Sequence, residues 1–257
     1  MPRILLSTVG VRGDLNPFIA VGKGLRKRGH DVRFAVEPAL QAAVVEEGFE
    51  ACPLAGDVLS SLSPHLDAIV GGSTPIGAVK PIVTEWLSTA LPAKVADLLA
   101  AGAGCDLIVA RAAHLAAPIA AERLGIPWAQ LTMTALTVPS SYAIPTMMHM
   151  PLGPAARLVN RASWTAIERF TSRFADRPVN GARRDLGLPP ARHVMGRGGH
   201  SRHLTALVVS PSVSPRRADW PPYVQVTGYC FWDSPSTWRE PSELTAFLGA
   251  PGRVVAI

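Results

Sequence analysis

Cysteine is scarce in this chain. The 257 residues hold three, Cys52, Cys105 and Cys230, scattered and with no C-x-x-C pair. Neither a zinc site nor a disulfide framework is signalled, which fits a reducing compartment. Long apolar runs are missing too. None reaches the roughly 20 residues of a membrane-spanning helix, and "PRILLS" after Met1 is too short for a signal peptide. Internal repeats are absent. Lysine does not occur after residue 150, where 14 arginines face 7 acids; residues 1–150 balance 11 basic against 12 acidic side chains. These arginines recur at helical spacing, as in "ARLVNRASWTAIERFTSRFADRP", with few aromatics among them. That pattern reads first as a solvated helix face, then as a surface for phosphate groups or an anionic membrane, and last as a nucleic-acid binder. The expectation is a cytoplasmic protein with no nucleic-acid partner, able to make a peripheral membrane contact.

What is present suits a large core. The chain is 48% hydrophobic and 17% charged, outside the disordered range. Ile4–Thr8 is a short apolar run, then Asn16-Pro17 marks a helix start and Gly29 its left-handed stop. "HDVRFAV", "EPALQAAVVEEG" and "FEACPL" continue as strand, helix and strand. This alternation predicts an α/β fold, a Rossmann-like parallel sheet with helices on both faces. Residues 56–75 are rich in Gly, Ser and Pro and read as a mobile loop, with helices following at about 76–89 and 92–102. "DLIVA", "LAAPIAAERLG" and "IPWAQLTM" repeat the strand–helix–strand pattern. Residues 134–154 are apolar but proline-rich, so they read as a loop lining a cavity. Residues 155–186 predict one or two long helices, "HVMGRGGHSRH" a flexible loop, and "LTALVVS" and "YVQVTGY" two more strands. A short helix in "EPSELTAFLG" with Ser242 as cap precedes "RVVAI", which reads as the first strand of a further domain. We therefore expect residues 1–230 to be one domain and 231–257 to lead to a second.

The loop "GVRGDLNP" (Gly10–Pro17) admits several chemistries. A dinucleotide fingerprint needs three glycines and a ribose-binding acid. Gly10 and Gly13 lack the third, although Glu37 stands where the acid would be. No Gly-Lys-Ser/Thr follows, which excludes a P-loop, and an adhesion role for Arg12-Gly13-Asp14 needs secretion. Two readings of Asp14 remain. It can stabilise the helix start, where a carboxylate is favoured, with Arg12 as a surface partner. Or it can act on a ligand at the carboxyl end of the first strand, with Gly10 and Gly13 letting the ligand near the backbone. A carboxylate is a weak base, so it would work by position and a partner charge.

Four blocks together resemble the GT-B glycosyltransferases of family 1: residues 7–57; "DLIVARAAHLAAPIAAERLGIPWAQLTMTALTVPSSYAIP"; "LVNRASWTAIERF" with "VNGARRDLGLPP"; and "DWPPYVQVTGYCFWD" with "ELTAFLGAPGRVVAI". The nearest branch carries an R-G-D-x-x-P loop and holds sterol and lipid glucosyltransferases and bacterial glycosyltransferases of glycopeptide and related natural products. The resemblance implies the N-terminal, acceptor-binding half of such an enzyme, and its own C-terminal donor domain as partner. It implies Asp14 as the catalytic group. Many relatives place a His there, helped by an Asp after the fourth strand; here Arg111 stands near the helper's position. Arg111 could orient Asp14 instead. Thr134, Ser140 and Tyr142 are implied acceptor contacts, with the apolar Met147, Met148 and Met150 nearby and residues 60–74 as a cover. His114 either faces the acceptor or is a buried, hydrogen-bonded histidine.

The implied reaction moves a hexose from a UDP- or dTDP-sugar co-substrate to a hydroxyl of a small-molecule acceptor with an apolar body, with no metal and no bound cofactor. Residues 1–257 alone are expected to be inactive. A non-catalytic module binding an apolar ligand or partner, and a dinucleotide-dependent oxidoreductase, are the rival readings. His193, His200 and His203 show no regular metal spacing. Trp220, Tyr229 and Trp232 read as packing or interdomain contacts.

Overall fold

A computed structural model describes residues 1–57, 60, 90–143, 155–232 and 239–252. Seven strands form one sheet: β1 (Arg3–Thr8), β2 (Asp31–Val36), β3 (Glu50–Pro53), β4 (Leu107–Arg111), β5 (Trp128–Thr132), β6 (Leu204–Leu207) and β7 (Val224–Val226). All pair in parallel, in the order β3-β2-β1-β4-β5-β6-β7. A parallel sheet is covered on both faces, so its strands are apolar throughout rather than alternating. Leu5 and Leu6 on β1, and Ile108 and Ala110 on β4, accordingly have no exposure. The chain builds outward from β1 to β3, then returns to place β4 beside β1. That reversal leaves a crevice at the carboxyl ends of these two strands, where ligands of such sheets bind.

Two large cores flank the sheet, and a smaller one, Val138, Leu207, Val209, Trp220 and Val224, packs at β6 and β7. On one face, α1 (Arg12–Lys27) and α2 (Pro38–Glu46) bury Leu15, Phe18, Ile19, Leu40 and Val44 beside Phe34 and Phe49. On the other, α3 (residues 90–102), α4 (Ala116–Leu124) and α5 (Ala156–Asp185) bury Leu98, Ile119, Ala175 and Val179. The element order agrees with the sequence expectation. Gly125 ends α4 with φ 70°, the left-handed stop that its position predicts. The last helix, α6 (Ser242–Gly249), buries no residue.

Three local expectations are corrected, and one, the third below, is borne out in the simpler of its two forms. First, α1 begins at Arg12, and Pro17 lies inside it. Proline is disfavoured within helices because it cannot donate to the carbonyl four residues back, which is why it reads as a start. Here that carbonyl belongs to Gly13 in the exposed first turn, where the loss is easily met by water. Second, the cap of α6 is Pro241, with no side-chain cap bond from Ser242. Third, the predicted long helices of 155–186 are one helix of 30 residues with Pro178 inside. Fourth, the segment 193–203 is tied down. The Asp176 carboxylate accepts from the Nα–H groups of His193 and Val194 at 3.0 and 3.1 Å, and Glu168 accepts from that of Arg197 at 2.9 Å. The expectations for residues 61–89, for Met147, Met148 and Met150, and for "RVVAI" lie outside the described residues.

Phe18 fastens α1 to the sheet and has no exposure. Phe18→Ala is expected to lower unfolding free energy by about 3–5 kcal/mol, measured by urea denaturation at neutral pH.

Candidate active site at the carboxyl ends of β1 and β4

Asp14 sits in the first turn of α1, beside the crevice. One carboxylate oxygen, Oδ2, accepts from the Val11 N–H at 3.1 Å. The other, Oδ1, lies 3.0 Å from Arg111 Nη2 at the end of β4. The side chain is 17% exposed, enough to touch a ligand and too little to swing freely. Asp14 thus closes the helix start, as the first reading expects, while its other oxygen is held at the end of β4. Arg12 does not pair with it. Its guanidinium bonds Asn16 Oδ1 at 3.2 Å and stacks on the Trp232 ring at 5.1 Å.

Gly10 makes this arrangement feasible. Its φ is +111°, and a Cβ there would stand 2.3 Å from Asp14 Oδ2. The carboxylate occupies the volume a side chain would need. The loop is held from below by Glu37, at the end of β2, whose Oε2 accepts from the Gly10 N–H at 3.2 Å. Glu37 Oε1 in turn pairs with Lys94 Nζ of α3 at 2.9 Å, with both side chains almost fully buried. The acid that a dinucleotide site would turn toward a ribose is therefore spent on the loop and a lysine. Gly13 is exposed in the first turn, with open space where a Cβ would be.

After Arg111 the chain turns sharply. Ala113 has φ 63°, a left-handed conformation that a non-glycine residue adopts at a cost of about 1–2 kcal/mol. The turn leaves Arg111 facing outward and sends His114 inward. His114 is 4% exposed, and its Nε2 lies 3.0 Å from Ser7 Oγ, which itself donates to the Ala35 carbonyl at 2.9 Å. Burial, and then the charge of Lys94, press its pKa down to about 3. Of the two roles offered by the sequence, the geometry shows the buried one.

The acceptor candidates after β5 lie further along the same side. Thr134 Oγ1 accepts from the Leu136 N–H at 3.2 Å and starts a short 3-10 turn. Ser140 is buried and donates to Asp219 Oδ1 at 2.9 Å, while the Ser141 N–H reaches Oδ2. Tyr142 is 37% exposed and stacks under Arg157 at 4.4 Å. A space of about 160 Å³ bounded by Ala112, Ala113, Leu136, Thr137, Ile167 and Met195 lies between this loop and the end of β4. Sequence reasoning missed Lys94 and Asp219. Lys94 carried a signal, since it shares the apolar helical face of Leu91, Val95 and Leu98. Asp219 carried none; only the tertiary fold brings it to Ser140.

Residues 4–140 match the glycosyltransferase family 28 N-terminal domain. The chain belongs to this family. The expected GT-B resemblance thus holds over both halves of the sheet's carboxyl-end crevice. Among curated proteins, the glycosyltransferase domain is 34% identical over 254 residues to O-mycaminosyltylonolide 6-deoxyallosyltransferase of Streptomyces fradiae, covering 96% of this chain and 58% of the relative. It is 28% identical to a sterol 3-beta-glucosyltransferase of Arabidopsis thaliana, covering 97% of this chain and 41% of that one. The chain therefore spans about half the length of the curated relatives it matches. A solved glycosyltransferase of kitacinnamycin shares the fold with TM-score 0.60 at 19% identity, over 94% of this chain and 56% of that one. No helix among the described residues is long and apolar enough to cross a membrane.

Two outcomes are expected of this glycosyltransferase domain. Gly10→Ala should displace the Asp14 carboxylate and destabilise by about 1–3 kcal/mol, read by thermal unfolding and by loss of the Val11 amide's hydrogen-exchange protection. His114 has a folded pKa below its unfolded value, so its contribution is complete above about pH 6.5 and is lost as pH falls toward 3. His114→Asn should therefore flatten the acid limb of stability against pH by up to about 1.4 kcal/mol per pH unit. Urea unfolding at pH 7, 5.5 and 4.5 checks it; equal slopes would refute the burial of a neutral imidazole.

Proposed function

We propose that this domain is the acceptor-binding half of an inverting hexosyltransferase, in which Asp14 takes or orients the proton of the acceptor hydroxyl. The observation that carries the reading is the Asp14–Arg111 pair, held rigidly at the carboxyl ends of β1 and β4 in a chain of the glycosyltransferase family. The hydroxyl attacks the anomeric carbon of a nucleotide-activated hexose, UDP- or dTDP-linked, and the nucleoside diphosphate leaves from the opposite face. One C–O bond forms as the other breaks, with inversion. The proton passes to Asp14 or, through it, to water. Arg111 fixes the carboxylate's direction, so catalysis here rests on placement and on the fixed charge pair.

The donor belongs to the C-terminal half that such enzymes carry. The acceptor has an apolar body: Leu136, Ile167 and Met195 bound the space beside Ala113, and the relatives are named for O-mycaminosyltylonolide and a sterol. Cytoplasmic residence and a membrane-surface contact fit such acceptors. The arginines of α5 supply the charge for that contact. A second reading, a binding module without turnover, draws on Arg111 standing about where the family resemblance implies a helper acid.

Asp14→Asn and Asp14→Ala in the full-length protein decide between them. The transferase reading expects turnover to fall by about 100-fold or more, with acceptor affinity and melting temperature little changed in the Asn variant. Undiminished turnover in both variants would leave only the binding role.

A further inference from the structure

Gln130 is out of place in the sheet. It stands at the middle of β5, between Ala110 of β4 and Thr205 of β6, where a strand covered on both faces is ordinarily apolar. It is 1% exposed. A carboxamide at that depth is costly unless its polar atoms find partners. Its oxygen does: Oε1 accepts from the Ser201 N–H at 3.3 Å and lies 3.2 Å from His200 Nδ1. A main-chain N–H can only donate, so that contact fixes which end of the carboxamide is oxygen. The nitrogen, Nε2, has no hydrogen-bond partner among the described residues. Nor is it sealed under other atoms: Gln130 lines the space of about 160 Å³ beside Ala112 and Ala113, and Nε2 keeps accessible surface there.

The rest of this space offers a ligand little polarity. Leu136, Ile167 and Met195 bound it. Its other polar side chains are already engaged. The Trp164 Nε1–H donates to the Ala143 carbonyl at 2.7 Å, Thr137 Oγ1 meets Thr132 Oγ1 at 3.2 Å, and His200 Nε2 lies 2.8 Å from the Thr137 carbonyl. A buried donor without a partner favours a ligand that brings an acceptor oxygen to it, because a ligand lacking one leaves the donor dry and unpaired. The donor also distinguishes between oxygens. A hydroxyl brings a proton of its own, and no carboxylate or unengaged amide oxygen lines this space to receive it. A ketone or lactone carbonyl brings only lone pairs.

We propose that Gln130 is a specificity-determining residue of the acceptor site, its Nε2–H groups donating to a ketone or lactone carbonyl set in the acceptor's apolar ring body. The inference rests on the reading of this crevice as an acceptor site, and it narrows the acceptor to one oxygenated at that depth rather than a bare hydrocarbon skeleton. Ala112 and Ala113, on the cavity wall, directly follow Arg111 in the chain, so the ring body lies beside the strand end that holds Asp14.

The test is a nitrogen–proton NMR titration of the 257-residue chain with three probes of one shape: acetophenone, 1-phenylethanol and α-methylstyrene. Acetophenone should bind saturably, about tenfold more tightly than either of the others, and should shift the side-chain amide resonances of Gln130. Gln130→Met should bind α-methylstyrene as before and acetophenone no better. That variant also leaves the Ser201 N–H without its partner, so the ranking and the resonance shift in the unaltered chain are decisive by themselves. Equal affinities for the three probes, no saturable binding of acetophenone, or an unmoved Gln130 amide would each overturn the proposal and leave the Asp14 reading intact. Undiminished turnover in the Asp14 variants would overturn that reading instead and leave the probe ranking unchanged.

Discussion

The buried pair of Glu37 and Lys94 is the constraint on which the site depends. It joins three elements that are far apart in sequence: the end of β2, helix α3 and the loop after β1. An isolated charge at that depth is strongly disfavoured, so either member alone would disrupt its surroundings. Together they leave Glu37 an oxygen for the Gly10 N–H. Gly10 then takes a backbone conformation closed to other residues, and the space where its side chain would be is filled by the Asp14 carboxylate. The placement of the candidate catalytic group thus descends from an ion pair that never meets the ligand.

The opposite wall of the crevice is built by a different device. β4 delivers Arg111 at its last residue, and the left-handed Ala113 reverses the chain at once. Without that turn the strand would run on and carry His114 outward. With it, a cation faces Asp14 and a neutral imidazole is sealed under the sheet against Ser7. The charge pair that faces the crevice is thus backed by a neutral, buried imidazole.

Much of the fold was legible because its signals are local. Period, glycine stops and β-branched runs placed β1 to β7 and α1 to α5 in their order. The start of α1 was misread because Pro17 carries the strongest local signal for a helix beginning, while the true cap is a backbone turn at Val11 closed by Asp14. The segment 193–203 looked loose because glycines abound in it, and its anchors, Asp176 and Glu168, sit on a helix some 20 residues earlier. The same division runs through the site. Asp14 and Arg111 could be matched from motif order. Ser140's partner, Asp219, is 79 residues away and follows from no pattern in the chain.

The first turn of α1 has one further consequence. The oxygen of Asp14 that receives the Val11 N–H belongs to the same carboxylate that faces the crevice. A proton arriving on that group in the proposed transfer removes the negative charge from the helix start and from Arg111 together. Each turnover would then slacken and restore the beginning of α1, so the rigidity of this helix end and the chemistry beside it rise and fall as one quantity.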